Sequence, residues 1–286
     1  MDKVFLPALL ALTAILGLLY LIYRSKEVQG KYKNEVVRGL AGSRDDQPTV
    51  LTLEDIQHLP HPVQKYIEYT GMLGKPPVKN WRIVLEGQFK MAPEKDWSTI
   101  RIEQYNFFDD DPRRLSLNRL IIGIPVVGLD SYINGIGTML IKVGGLYTVA
   151  DAKGPEMNQS AAVMFLNDAC NSAPAALIDQ RFRWEQIDDL KVKAIFDDGR
   201  NCVSAVLQFN DNGELVQFTT LDKYYSPTGA TYEKMGWSSV NKDYREINGL
   251  TLASNAEGLW HFSDGDYCYA RITLKEVEYN CKTFKQ

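Results

Sequence analysis

The distribution of apolar and polar residues divides the chain into three segments. Residues 4–23 form an uncharged apolar run, residues 25–50 are polar and rich in charge, and from residue 51 onward short periodic segments alternate with turns. At about 1.5 Å of rise per residue, the apolar run makes a helix roughly 30 Å long, which is the thickness of a bilayer core. The pattern predicts a transmembrane anchor at 1–24, a partly helical tether at 25–50 and a single domain at 51–286.

Two other structures are open for the apolar run: a cleavable signal peptide and a buried core helix. A signal peptide has an apolar region of about 7–15 residues followed by small residues, whereas this run ends in Tyr-Leu-Ile-Tyr-Arg at 20–24. A run that is apolar on all faces at the extreme end of the chain is a poor core helix. The sequence therefore favours a single-pass anchor in the cell membrane.

The side of the membrane that the domain occupies depends on the charges beside the run. Five basic residues lie in 24–38, against Lys3 on the other flank. The positive-inside rule then favours a cytoplasmic domain. Export is the alternative, because a short N-terminus with one lysine is also typical of an uncleaved signal anchor.

From Trp81 onward apolar and polar residues alternate with a period of two, which predicts strands with one buried face. Turn sequences rich in Gly, Asn, Asp and Pro separate the alternating segments and predict about a dozen antiparallel strands joined by hairpins. In the last strand the apolar positions change face between Leu274 and Val277. This change predicts a β-bulge or a loss of pairing near Lys275 and Glu276.

Helices are predicted near 52–71, where Gly71 is a terminator, and near 158–180, between the two sets of strands. A sheet of a dozen strands must curl, close or split. We therefore expect a mainly β (α+β) fold, with one large curled antiparallel sheet, an open half-barrel, that carries a few helices on one face. Two packed sheets are the alternative.

The composition is that of a folded protein, since 45% of the residues are apolar and the 21 Gly and 12 Pro are too few for a fibrous chain. A formal net charge of −4 and the lack of a basic cluster argue against nucleic acid as a partner. The four cysteines show no ligand spacing, and their even number permits disulfides without requiring them.

The sequence contains few signs of catalytic chemistry. It has no nucleophile elbow, phosphate-binding loop or dinucleotide fingerprint, and His58 and His61 are set apart by Pro60, so we expect no cofactor and no metal. Asp130, Asp188 and Asp222 are candidates for acid–base catalysis in a hydrolase, but no pair has diagnostic spacing. The sequence therefore does not favour an enzyme.

Several motifs resemble those of a bacterial family of membrane-anchored proteins, a domain of unknown function. The resemblance covers residues 59–280 and is carried by Pro62-Val-Gln-Lys-Tyr66, Gly123-Ile-Pro125, Asp130-Ser-Tyr132, Asn134-Gly-Ile-Gly137, Trp184-Glu-Gln-Ile-Asp188, Asp222-Lys-Tyr224 and Glu278-Tyr-Asn280. More remotely, the order of elements is similar to that of the lipoprotein-carrier and lipid-binding half-barrels of the bacterial envelope. That likeness implies a concave apolar face.

Aromatic residues on alternating strands are the remaining candidates for a site. If two short helices leave part of the concave face uncovered, the space suits an acyl chain or another elongated apolar ligand. Tyr132, Trp184 and Trp260 lie on separate predicted strands, and we expect them to face that space. The leading hypothesis is a membrane-anchored module that binds a lipid. The alternatives are a structural or interaction protein of the membrane and a membrane-bound hydrolase.

Overall fold

The computed structural model describes residues 5–42, 50–108, 110–121 and 125–285. Three features predicted from the sequence lie partly outside these residues. Residues 1–4 of the predicted anchor, residues 43–49 of the predicted tether, and Gly123 and Ile124 of one family motif lie outside the described residues.

Helices and strands follow one another in the order that the periodicity indicates. The helices are α1 (Phe5–Gly42), α2 (Leu53–Ile56), α3 (His61–Thr70), α4 (Pro155–Ser172) and a 3₁₀ helix at Pro174–Ile178. The strands are β1 (Asn80–Phe89), β2 (Ser98–Phe107), β3 (Arg113–Ile121), β4 (Pro125–Ile133), β5 (Ile136–Val143), β6 (Tyr147–Ala152), β7 (Phe182–Gln186), β8 (Lys191–Asp197), β9 (Cys202–Phe209), β10 (Leu215–Tyr225), β11 (Glu233–Ile247), β12 (Leu250–Phe262) and β13 (Gly265–Tyr279).

All thirteen strands belong to one antiparallel sheet, in the order β6-β5-β4-β3-β2-β1-β13-β12-β11-β10-β9-β8-β7. Each half of the chain is a meander of neighbouring strands, and the pairing of β1 with β13 joins the two halves. The expectation of a mainly β fold with one large, open antiparallel sheet is confirmed. The predicted bulge is confirmed too, since Val84 faces Glu276 and Leu85 faces Leu274, which leaves Lys275 unpaired.

The sheet curls around α4. Met164 of α4 contacts Lys223 on β10, and Asp168, one turn further on, contacts Arg114 on β3. Five strands separate β3 from β10 in the sheet, a distance of roughly 29 Å in a flat sheet. Met164 and Asp168 are only about 6 Å apart along the helix axis, so the two halves of the sheet must bend towards each other.

The concave face of the sheet lies in close contact with α4 at Gly137 on β5. A Cβ atom built on Gly137 lies 2.3 Å from the carbonyl oxygen of Met157 and 2.7 Å from Cβ of Ala161. Only glycine allows this approach, so the contact of Gly137 with Met157 and Ala161 fixes the position of α4 over the sheet.

The opposite, convex face of the sheet carries the second half of α1, which corrects two expectations. Val28, Tyr32 and Val36 of α1 are buried against Phe107 and Leu115. Residues 25–42 are therefore packed helix and not tether, and the helices lie on both faces of the sheet instead of one. The physical reason is that the convex face carries a group of large apolar side chains, among them Tyr105, Leu117 and Val127, so a second layer is needed to cover them.

The first half of α1 coincides with the predicted membrane span. None of the helices that the structure describes has a stretch both long and apolar enough to cross a bilayer. The single-pass anchor is therefore not confirmed.

Candidate functional site

A cavity of about 380 Å³ lies between α4 and the concave face of the sheet. Apolar side chains from both halves of the sheet form most of its wall, among them Ile83, Ile102, Leu120, Met139, Ile141, Ile272 and Leu274. Two exposed residues, Met91 after β1 and Pro227 after β10, line the same cavity. The cavity therefore reaches the protein surface between these two loops.

One part of the cavity wall is charged. Arg114 on β3 donates from Nε to Oδ2 of Asp168 at 2.6 Å and from Nη1 to Oδ2 of Asp130 at 2.7 Å. Gln104 on β2 donates a further hydrogen bond to Asp168 at 2.7 Å. The alternation of β3 explains the placement, because Arg114 points to the concave face while Leu115 packs beneath α1 on the other face. Three strands and one helix thus fix a buried cluster.

Burial and charge act in opposite directions on the pKa of Arg114. Burial alone lowers that pKa, but the carboxylates of Asp130 and Asp168 outweigh burial and raise the pKa above its ordinary value. The guanidinium therefore stays charged, and its removal would leave two carboxylates in an apolar wall.

Lys223 on β10 is a second cation in the cavity wall. Its side chain is buried, and Nζ lies 4.0 Å from the ring centroid of Trp237 and 5.4 Å from that of Trp260. No carboxylate among the described residues forms an ion pair with Lys223. Burial lowers the pKa of Lys223 to about 7, although the nearby charges of Asp130 and Asp168 partly offset the effect. Such a lysine exchanges its proton near neutral pH.

A β-bulge places Lys223 in the cavity. Thr220 pairs with Trp237 and Lys223 pairs with Met235, so two residues of β10 face only Gly236 of β11. In a regular strand, Asp222 would share the inner face with Thr220 and Lys223 would point outward. The bulge reverses this alternation from Lys223 onward. Leu221, which points outward in either register, is exposed on the surface.

The three aromatic residues predicted to face an apolar space lie in different surroundings. Trp260 lines the cavity beside Tyr225 and Tyr269. Tyr132 lies outside the cavity wall, in the packed core against Phe165, whose ring fills that part of the concave face. Trp184 lies on β7, at the edge of the sheet, and packs against Phe182. The structure therefore does not bring the three together, and their role in ligand binding stays a prediction.

The candidate acid–base residues serve three separate local structures. Asp130 belongs to the charged cluster, Asp188 accepts a hydrogen bond from the backbone of Leu190 in an exposed turn, and Asp222 accepts from Ser204. The three carboxylates thus do not form one catalytic group.

A Ser-His-Asp arrangement lies outside the cavity. Oγ of Ser238 lies 2.7 Å from Nε2 of His261, and Nδ1 of His261 lies 2.7 Å from Oδ1 of Asp266. Ser238 is completely buried, however, in a strand that is paired on both sides. A nucleophile needs contact with its substrate and free N–H groups for the oxyanion, so this arrangement is a structural hydrogen-bond chain.

The four cysteines are all free thiols. Burial raises the pKa of Cys170 and raises that of Cys281 to about 11. A reactive cysteine needs a lowered pKa, so neither of these two buried thiols is suited to nucleophilic catalysis.

Solved structures with a similar fold share little sequence with this chain. A domain assigned to outer membrane lipoprotein sorting from Vibrio parahaemolyticus is 12% identical with a TM-score of 0.37, over 70% of this chain and 85% of that one. A DUF1329 family protein from Desulfovibrio piger is 9% identical with a TM-score of 0.40, over 76% and 91%. A LolA superfamily protein from Nitrosomonas europaea is 8% identical with a TM-score of 0.32, over 80% and 94%.

One sequence family matches most of the chain. No protein among those with curated descriptions matches the chain. A profile described as a family of unknown function matches residues 49–272. This range includes α2 to α4 and all of the strands, apart from the part of β13 that follows residue 272. Because the match covers most of the chain, the protein belongs to the family of unknown function DUF6544.

Proposed function

We propose that this protein is a binding module whose cavity holds an elongated apolar ligand such as a lipid. The cavity between α4 and the sheet carries the proposal. Its volume of about 380 Å³ is in the range of pockets that bind small molecules, roughly 300–1,000 Å³. An apolar wall with few polar groups and a mouth at the surface is the arrangement that buries an acyl chain and leaves one end for polar contacts.

The helical side of the cavity supports the same function. Met157 and Met164 of α4 line the cavity opposite the isoleucines of the sheet. Methionine is flexible and polarizable, and such side chains adapt to apolar groups of different shape. A wall of this kind suits a ligand chain that varies in length better than it suits one rigid substrate.

Filling the cavity with a large side chain tests the proposal. Ile141 lines the cavity, and Ile136 on the same strand is exposed and lies outside it. We expect the parent protein to bind a fluorescent fatty-acid derivative, the Ile141→Trp variant to bind it about tenfold more weakly or worse, and the Ile136→Trp variant to bind as the parent does. Titration of the probe with the purified full chain measures all three affinities.

Two results of this titration contradict the proposal. One is a parent protein that does not bind the probe at all, and the other is equal binding by the parent and a folded Ile141→Trp variant. Either would favour the alternative of a structural or interaction protein, in which the concave face is not a ligand site.

A location at the cell membrane is a separate proposal. Several large apolar side chains in the first half of α1, including Leu12, Ile15 and Leu16, are exposed, and water is an unfavourable environment for such a stripe. Together with the basic residues at 24–38, they support attachment to a membrane with the domain on the cytoplasmic side. Recovery of the protein in the membrane fraction, with protection from protease added to intact cells, is the expected result. A soluble fraction or external digestion would contradict it.

A further inference from the structure

We propose that the cavity selects ligands with a neutral, hydroxyl-bearing head group, which Lys223 and Asp130 bind together. This inference rests on the proposed function, since it names the polar end of the ligand that the cavity would hold.

The ammonium group of Lys223 is a strong hydrogen-bond donor whose acceptor, the sulfur of Met164, is weak. Among the described residues, its ammonium group contacts the sulfur of Met164, 2.7 Å from Nζ, and the rings of Trp237 and Trp260. Thioethers are weak acceptors, and an ammonium group has three N–H donors. A buried donor of this kind gains free energy when an oxygen atom of a ligand accepts from it.

Asp130 supplies the complementary acceptor. Its Oδ2 accepts from Arg114, whereas its Oδ1 is buried and has no hydrogen-bond partner within the part of the chain that the structure describes. Both Asp130 and Lys223 line the cavity, and the carboxylate is near enough to act on the pKa of the lysine. An ionised carboxylate can only accept hydrogen bonds. A single hydroxyl group can accept from Lys223 and donate to Asp130, which a carboxylate or an ammonium head cannot do.

The charge of the cluster favours a neutral head. Arg114 and Lys223 carry two positive charges, and Asp130 and Asp168 carry two negative charges, so the four groups are balanced when the lysine is protonated. A ligand with a net charge would add an unbalanced charge to a buried site, which is unfavourable. A free fatty acid or an alkyl amine is therefore a poorer ligand than an ester of glycerol.

Three amphiphiles with the same chain length separate these classes: monodecanoylglycerol, decanoate and decylamine. Quenching of tryptophan fluorescence in the full-length protein follows their binding, because Trp237 and Trp260 line the cavity. We expect monodecanoylglycerol to bind at least about tenfold more tightly than either charged amphiphile. Equal or tighter binding of decanoate or decylamine overturns the head-group inference and leaves the proposed function intact, whereas no binding of any of the three overturns both.

Two variants then assign the selectivity to the named residues. Lys223→Met removes the donor and leaves the cluster with a net negative charge, so the preference for monodecanoylglycerol over decylamine should fall to less than about threefold. Lys234→Met, which changes an exposed lysine, should keep that preference. In Asp130→Asn the cluster gains a net positive charge, so decanoate should bind more tightly relative to monodecanoylglycerol than it does to the parent. A folded Lys223→Met protein with unchanged selectivity, or an Asp130→Asn protein without the shift towards decanoate, contradicts the inference.

Discussion

Nζ of Lys223 lies 4.0 Å from the centre of the Trp237 ring, so this buried ammonium group rests against an aromatic face. Attraction between the ammonium group and the ring stabilises the charged lysine by about 1–2 kcal/mol when water is excluded. Burial acts against it and lowers the pKa of Lys223 to about 7. Near neutral pH the protonated and the neutral form of Lys223 are therefore close in free energy.

The pKa of Lys223 predicts how the stability of the protein depends on pH. The unfolded chain keeps this proton up to about the ordinary value of 10.5, whereas the folded protein releases it near 7. Between these values the unfolded state binds more protons, so the contribution of this lysine to the free energy of unfolding rises with pH. From pH 7 to pH 9 the parent should gain up to about 3 kcal/mol relative to Lys223→Met.

Urea unfolding of both proteins at the two pH values measures this difference. Other groups that titrate in the same range are common to the two proteins and cancel. Lys234→Met, at an exposed lysine, should follow the parent. A parent and a Lys223→Met variant with parallel pH profiles would show that the lysine titrates near its ordinary pKa.

Removal of Arg114 should destabilise the protein strongly. The guanidinium is the shared partner of Asp130 and Asp168, and breaking a buried pair typically costs about 3–5 kcal/mol because a charge stays behind in an apolar environment. We expect a loss of this size in the free energy of unfolding of Arg114→Gln. Arg183 offers a control, because its ion pair with Asp197 is exposed and should contribute less than about 1 kcal/mol. Equal losses for Arg114→Gln and Arg183→Gln would contradict the assignment.

Gly137 is the position at which a single methyl group should displace α4. Because its Cβ would lie 2.3 Å from the carbonyl oxygen of Met157, we expect Gly137→Ala to lower the free energy of unfolding by about 1–3 kcal/mol. Gly128 on β4 is the matched control, since the atom closest to its Cβ is 3.6 Å away. Gly128→Ala should change stability by less than about 1 kcal/mol. Similar thermal unfolding curves for the two variants would argue against close contact between β5 and α4.

Shortening the chain from its N-terminus separates the two halves of α1. A protein that begins at residue 25 keeps Val28, Tyr32 and Val36 on the sheet, and it should unfold cooperatively with the stability of the full chain. A protein that begins at residue 43 exposes Phe107 and Leu115 and should lose at least about 3 kcal/mol. Chemical denaturation of the two proteins decides the point. A fully stable second protein would make this half of α1 a tether after all.

The sheet was predictable because alternation and turn residues are local signals. The change of face between Leu274 and Val277 even located the bulge in β13. Lys223 was not predictable, although it lies in the family motif Asp222-Lys-Tyr224. Its inward direction depends on the bulge between Thr220 and Lys223, and the sequence there has no Gly or interrupted apolar pattern to indicate a bulge. Leu221, an apolar residue that the alternation leaves in solvent, was the one available sign.

The charged cluster was beyond the reach of sequence patterns for another reason. Arg114 and Asp168 are separated by 54 residues, and each is typical of a solvent-exposed position on a strand or helix. Only the curl of the sheet around α4 brings them into contact. The same limit applies to α1, because the charged residues at 25–42 hide the stripe of Val28, Tyr32 and Val36, which recurs at helical spacing.

The pairing of β1 with β13 has a consequence for how the protein is made on the ribosome. Trp81 pairs with Tyr279. The first strand in the chain, β1, therefore cannot form its second ladder of hydrogen bonds until nearly all of the remaining chain has been synthesised. Contacts between residues so far apart in sequence slow folding. During synthesis the first meander can form, but the free edge of β1 stays open to pairing with other chains. Newly made protein should therefore be most prone to aggregation before β13 has been synthesised and has paired with β1.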